Sequence, residues 1–413
     1  MIKTKTRIKY LEYFFAIMAI LQCNTVFFTM PTTGRMIQIV WYVTLVILFG
    51  YSAAYMVVNE INILPLIKFL LCLILILVIF SSVQYQRYSP SILKIVMDAI
   101  NIIALTCFFY VRNWSGEIRG FFYRFENIVV ILSGVSLFFW FLSVIGVPTT
   151  SQVTIDWGGV RSIPGYFWFH FLAQGQIGFL GLSEIPRNTG LFAEAPMYSY
   201  ILCLAMLIDV FLRNKEKLFS RSFVILVITI FTTTSTTGVI VLLGTVVYYV
   251  LFIKKGISKA IKLILAFVIV PVGLVLLRYI LISKFDIVGW NTSTGLRIDD
   301  IHAGFLAWKD GLWFGNGLGN IQSIIAYMDP RRIAGNLTGI SNGMFATLAT
   351  GGITFSLFYI VPSVAIRAVS KEELGMGLLM LVLLFFTVIP ESGITFAIIC
   401  YFWVRILMFH LSR

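Results

Sequence analysis

Long runs of apolar residues alternate along the chain with short polar connections, the pattern of a polypeptide that crosses and recrosses a bilayer. A helix needs about 20 predominantly apolar residues to cross roughly 30 Å of hydrocarbon. By that measure about twelve spans are predicted, the first six at 8–28, 36–58, 64–82, 92–111, 125–147 and 189–212. The other six fall at 221–235, 237–253, 260–283, 341–366, 374–389 and 392–409. The first follows Lys3, Lys5, Arg7 and Lys9. It is longer than a signal-peptide core and lacks a small-residue cleavage site, so it reads as a retained anchor.

Composition narrows the class. Of the 413 residues, 59% are hydrophobic and 12% charged, with a mean hydropathy of +0.94. A soluble domain carries about 25% charged residues, so a string of soluble domains is excluded. The fold expected is an all-α polytopic membrane protein, a single integral membrane domain over 1–413. The five cysteines all lie inside apolar runs, with neither disulfide nor metal-ligand spacing.

The formal charge of +13 does not point to nucleic acid, because cytoplasmic loops of membrane proteins collect Lys and Arg. With the N-terminus inside, the inner connections hold Arg112, Arg119, Arg124, Arg213, Lys215, Lys217, Arg221, Lys254, Lys255, Lys259, Lys262, Arg367 and Lys371. The short outer connections hold only Arg35 and Arg87. Both termini are therefore expected in the cytoplasm.

Two outer segments, about 148–188 and 284–340, are much longer than the rest. Loops beyond roughly 12–15 residues are usually functional or disordered. These two are rich in Trp and Gly and read as structured caps. They also break the charge rule, holding Arg161, Arg187, Lys284, Arg297, Lys309, Arg331 and Arg332. Arginine's planar fork binds phosphate bidentately. Lipid headgroups could occupy any one of them; five arginines together point to a phosphate-bearing substrate.

The strongest local sequence runs from Arg187 through Gly190, Phe192, Glu194 and Pro196 to Ser199, where the sixth span opens. Proline in a first turn and a helix N-terminus both suit an anion. Glu194 at the membrane boundary is either a working carboxylate or a helix cap paired with Arg187. In the second long segment, Ile298, Ile301, Phe305, Trp308 and Leu312 recur at helical spacing, predicting an amphipathic helix on the membrane surface. His302 on that helix is a candidate general base. Gly315-Asn-Gly317-Leu-Gly319 is expected to be a tight turn, since no strand precedes it. The Thr232–Gly238 hydroxyls either bind sugar or phosphate or satisfy backbone carbonyls. Lys94 and Asp98 should neutralise each other four residues apart, and Arg278 near the outer end of the ninth span is a further site candidate.

This arrangement resembles the O-antigen polymerase and ligase superfamily. The Arg187…Glu194…Pro196 run is one point of resemblance. A second is Ser293-Thr-Gly-Leu-Arg297 leading to Trp308 and then Leu312-Trp-Phe-Gly315-Asn-Gly317-Leu-Gly319. The third is Ser341-Asn342-Gly343 with Leu348-Ala-Thr-Gly351-Gly-Ile353. Two departures stand out: ligases carry a His-Asn pair where this chain has Ser341-Asn342, and the family's Ser-Arg pair is Ser235-Thr236 here. The missing histidine, the ligases' proposed base, favours a repeat-unit polymerase of the Wzy type over a ligase.

The resemblance implies a GT-C-like, inverting glycosyltransferase that needs neither metal nor other cofactor. Its donor and acceptor would be undecaprenyl-pyrophosphate-linked glycans, its setting membrane lipid in the bacterial inner membrane, and a chain-length-regulating co-polymerase its partner. Arg187 and Arg297 match positions thought to hold the pyrophosphate, with Arg278, Arg331 and Arg332 as supporting charge and Glu194, then His302, as base. The rivals are an O-antigen ligase and a transporter or flippase of lipid-linked sugars. A transporter would place charge near the midplane and show repeated halves, and neither is evident.

Overall fold

The computed structural model describes residues 2–87, 90–157, 159–174, 176–179, 182–213, 218–256, 258–262, 264, 267, 271, 275, 293–387 and 392–412. Six helices open the chain: α1 (Ile2–Leu21), α2 (Val26–Thr29), α3 (Pro31–Val58), α4 (Leu64–Arg87), α5 (Ile92–Trp114) and α6 (Gly120–Val144). Five strands follow, β1 (Ser151–Asp156), β2 (Val160–Tyr166), β3 (His170–Phe171), β4 (Gln176–Phe179) and β5 (Leu182–Pro186). Next come α7 (Ala195–Ile208), prolonged by a π-helical turn to Arg213, then α8 (Arg221–Thr232) and α9 (Thr236–Tyr248). The remainder holds α10 (Ser293–Asp310), α11 (Gln322–Ile325), α12 (Pro330–Ala334), α13 (Gly343–Ala365), α14 (Lys371–Phe386) and α15 (Gly393–Leu411).

Eight of the described helices are long and apolar enough to cross a membrane: α3 to α6, α7 with its π turn, α9 with its continuation to Ile253, α13 and α15. The chain is a polytopic α-helical membrane protein. On α4, Leu71, Leu75, Val78 and Ile79 are each more than half exposed, which lipid tails tolerate and water would not. The expected spans at 8–28, 221–235 and 374–389 are helical as well, over α1, α8 and α14. Of these, α8 has only 12 residues, and α1 and α14 open on charged side chains. The ninth, 260–283, lies largely outside the described residues.

The chain folds as two compact units, each assembled from three separate stretches. One comprises 1–39, 120–287 and 371–383; the other comprises 40–119, 288–370 and 384–413.

At the centre of the first unit lies α7, with every side chain from Met197 to Leu212 buried. A helix apolar on all sides can be stable only when enclosed, and α6, α8 and α9 enclose it. Two buried carboxylates of this unit have arginine partners: Glu126 meets Arg213 at 3.0 Å, and Glu12 meets Arg124 at 3.0 Å. The 148–188 segment, expected only as a structured cap, is β-structure. Strands β1, β2 and β3 form an antiparallel sheet, and β4 pairs with β5. Along β1 the side chains alternate, with Val153 and Ile155 inward and Gln152, Thr154 and Asp156 outward. The inward pair joins Ile163, Phe171, Val26 and Ala193 in a small core under the sheet.

In the second unit α15 packs on α5 and α10 on α13. Helix α13 breaks at Gly352, whose φ of 65° and ψ of −168° lie outside the helical region. The backbone groups freed there bond to the preceding loop: Ile353 N–H donates to the Leu312 carbonyl and Thr354 N–H to that of Trp313, both at 3.0 Å. Conversely, Asn316 N–H donates to Ala349 at 2.8 Å and Gly317 N–H to Thr350 at 3.1 Å. The buried Gln84 of α4 braces the join, donating to the Phe314 and Thr350 carbonyls and accepting from Leu318 N–H. Gly315-Asn-Gly317-Leu-Gly319 is indeed a turn, with all three glycines at positive φ. Backbone irregularity inside a membrane protein survives only when satisfied in this way. Lys94 and Asp98 pair at 2.7 Å as expected.

The surface of α10 facing the protein is made of small residues. Ala303 and Ala307 pack with Ala349, while Ile298, Phe305 and Leu312 of the large apolar stripe are 61%, 41% and 46% exposed. Ile301 and Trp308 of the stripe are half-buried and Phe305 meets Phe345 of α13, so only part of the stripe faces away from the fold.

Candidate functional site

In the first unit, the Arg187–Pro196 run is a tightly held turn into α7. Proline occupies the first helical turn, as expected. Glu194 is at the N-cap position with extended backbone, yet its side chain makes no capping bond. Gln174 does that work instead, its Oε1 accepting from Ala195 N–H at 3.0 Å. The Glu194 carboxylate turns to the β1–β2 hairpin and accepts from Trp157 Nε1 at 2.7 Å. From the same hairpin, Arg161 Nη2 donates to the Ala193 carbonyl at 3.2 Å. Both hairpin side chains therefore converge on the peptide that bears Glu194.

Arg187 donates from Nε to the Thr233 carbonyl at 3.1 Å. Next to it, Asn188 N–H donates to the Thr232 carbonyl, and its side-chain amide reaches Ser136 and Thr232. Of the two readings of the Thr232–Gly238 hydroxyls, the hydrogen bonds favour backbone satisfaction. Thr232, Thr233 and Thr234 donate to carbonyls, and Ser235 caps α9 at Gly238 N–H. The run's contribution to the site is its carbonyls, which hold Arg187 and Asn188 at the mouth of α7.

Trp157, Arg161 and Gln174 were not foreseen as partners of this motif. They lie 37, 32 and 21 residues from the groups they contact, and only the strand pairing brings them there. His170 was also missed. It is fully buried between Phe139 and Tyr166, and neither ring nitrogen has a hydrogen-bond partner among the described residues. Burial pushes its pKa down to about 4, from an ordinary value near 6.5. The unfolded imidazole gains a proton as pH falls through 6.5, whereas the folded one resists until about 4. Stability of the first unit should therefore fall as pH drops from 6.5 towards 4. In His170→Phe that limb of the thermal-unfolding profile should flatten; an unchanged profile would place the acid sensitivity elsewhere.

In the second unit, Arg297 is half-buried near the start of α10, and His302 is exposed further along the same helix. Arg332, by contrast, is 1% exposed and enclosed by acceptors. It reaches Asp299 at 2.7 Å and Asp300 at 2.9 Å, and donates to the carbonyls of Leu296, Leu337 and Gly339. With its guanidinium committed in this way, Arg332 braces the turn that carries Arg297 and does not itself present charge to a ligand. Arg331 points outward, forking onto Asp329 at 2.5 and 3.0 Å. That fork holds the Asp329 carboxyl down near 2 and raises the guanidinium. Asp300 also accepts from both the N–H and the hydroxyl of Ser341, at 2.8 and 2.5 Å, while Asn342 caps α13. Arg278 and Lys284 lie outside the described residues.

Arg187 and Glu194 thus belong to one unit, and Arg297, His302, Arg331 and Arg332 to the other. Residues 222–360 match the Wzy_C family model, described as O-antigen ligase. The likeness covers 139 of the 413 residues, about a third of the chain. This supports the O-antigen polymerase and ligase superfamily and an O-antigen ligase- or polymerase-like function. The Wzy_C stretch takes in Arg297, His302, Asp300, Arg331, Arg332, Ser341 and the break at Gly352, while Arg187 and Glu194 precede it. No curated protein matches the chain.

Proposed function

We propose that the protein is a Wzy-type polymerase that joins undecaprenyl-pyrophosphate-linked repeat units into a surface polysaccharide at the external face of the bacterial inner membrane, with both termini cytoplasmic. Arg187 and Arg297 are each candidates to bind the donor's pyrophosphate, with Arg331 and Arg278 as further candidate charge. Glu194 is the base and His302 the second candidate. An acceptor hydroxyl attacks the anomeric carbon from the face opposite the leaving group. The C–O bond to pyrophosphate breaks with its electron pair going to the phosphate, and Glu194 takes the hydroxyl proton. Fixed positive charge supplied by arginine is what a departing pyrophosphate needs in the transition state.

The observation that carries this reading is Glu194 itself. A carboxylate at an N-cap ordinarily bonds its own helix. Here Gln174 caps, and Trp157 aims the carboxylate elsewhere. Polymerisation is favoured over ligation because the position of the ligases' histidine is Ser341, which is bound to Asp300.

The test is reconstitution of the purified protein in lipid with its host's undecaprenyl-pyrophosphate repeat unit. A ladder of longer glycans is expected, lost by about 100-fold or more in Arg187→Ala and Arg297→Ala while the protein stays folded. Glu194→Gln should lose about 10²–10⁴-fold. Normal ladders from both arginine variants would sink the assignment, and lipid-linked sugar moving between leaflets without a ladder would make the protein a transporter.

A further inference from the structure

The turn joining β2 to β3 is built from residues that a turn of its shape disfavours. Phe167 and Trp168 both lie in the left-handed region, at φ 48° and 65°, where glycine or asparagine is the ordinary occupant. The turn is closed by Phe169 N–H donating to the Tyr166 carbonyl at 2.9 Å and steadied by Phe167 N–H donating to Thr150 Oγ1. Three adjacent aromatic side chains are thereby presented outward: Phe167 is 60%, Trp168 51% and Phe169 60% exposed. No charged residue occurs between Gly165 and Gln174. Strain of this kind persists where the surroundings enforce it and a function uses it.

What the turn projects beside is set by α6. Phe139 stacks on Tyr166 at 5.6 Å and touches Phe167 at 6.2 Å, and Tyr166 Oη donates to the Val147 carbonyl just past the end of the helix. Phe138 and Phe141 of α6, with Ile145 just past its end, form a stripe that is 59%, 57% and 58% exposed, the lipid-facing side of a membrane span. The aromatic turn lies alongside α6 against Phe139, whose ring meets that of Phe138 in the stripe. Tryptophan and other aromatics favour the headgroup boundary, where an amphipathic ring meets both apolar chains and water.

We propose that Phe167, Trp168 and Phe169 form an anchor that inserts into the bilayer interface, fixing the height of the sheet that carries Trp157 and Arg161 relative to the membrane surface. The bilayer is preferred to a sugar ligand because the turn packs on the same membrane-spanning helix, at Phe139 next to the exposed Phe138. It is preferred to a second copy because no charged side chain lies in the segment from Gly165 to Gln174 to give such a contact register.

The experiment uses the full chain in phosphatidylcholine and phosphatidylglycerol vesicles, parent against Trp168→Phe, so that the difference in emission isolates Trp168. Lipids brominated near the headgroup end of the acyl chain should quench that component about twofold more than lipids brominated near the chain terminus. Aqueous iodide should leave it nearly untouched. Because Trp168 could be dim in its own surroundings, Phe169→Trp in the Trp168→Phe background supplies a second reporter with the same expectation. Iodide quenching of both reporters with no response to brominated lipid would overturn the anchor and place the turn in water. Protection from both quenchers would overturn it in favour of a protein contact. Neither outcome depends on whether the protein polymerises glycans.

Discussion

Arg332→Ala is expected to cost about 3–5 kcal/mol, the toll of removing one partner from a buried ionic cluster. The guanidinium is 1% exposed and serves Asp299 and Asp300 together with three carbonyls. Without it two carboxylates on α10 are left in mutual repulsion, one of them also 1% exposed. Leu296, whose carbonyl it holds, is adjacent to Arg297. The loss should therefore appear twice, as a lower unfolding midpoint in detergent and as weakened glycan synthesis. Arg332→Lys should rescue little, since one ammonium cannot span acceptors arranged around a planar fork. Arg331→Ala is the control: its partner Asp329 lies at the surface and exposed pairs contribute little, so the midpoint should hold. Equal midpoints for Arg331→Ala and Arg332→Ala would contradict the division of labour between these adjacent arginines.

Gly352→Ala should destabilise the protein by roughly 2–5 kcal/mol, combining a left-handed backbone penalty with overpacking. At φ 65° an alanine is strained before any contact is considered, and its Cβ would come within 2.5 Å of Gly315 N and Trp313 O. Gly315 faces the same join from the other side, at φ 69°, and a Cβ there would collide with the Thr350 carbonyl. Since one relaxation of the loop could relieve both collisions, the double variant should cost less than the two single changes added together. Thermal unfolding of the three variants measures this. An unchanged midpoint in Gly352→Ala would mean that α13 can close into a continuous helix.

The membrane architecture was legible in the sequence because a spanning helix is a local object. Twenty consecutive apolar residues satisfy their own backbone, and no distant partner is needed to recognise them. The turn at Gly315–Gly319 and the Lys94–Asp98 pair were legible for the same reason, each resting on residues within four positions of one another. The β-sheet over 151–171 was less so, although Gln152-Val-Thr-Ile-Asp156 does alternate, because one short period-2 stretch amid long helices carries little weight.

Charge was legible as composition and illegible as function. Arg331 and Arg332 are neighbours of identical chemistry, yet one forks onto a surface aspartate and the other fills a buried cage whose acceptors lie 5 to 36 residues away. Glu194 was visible as a carboxylate at a helix start, but its release from capping depends on Gln174 and Trp157, at 21 and 37 residues' remove. The sequence by itself determined that the chain lives in a membrane and where the eight long apolar helices among the described residues run. Only the tertiary structure decided which charges are already committed, because desolvation and hydrogen-bond saturation depend on neighbours that chain order does not reveal.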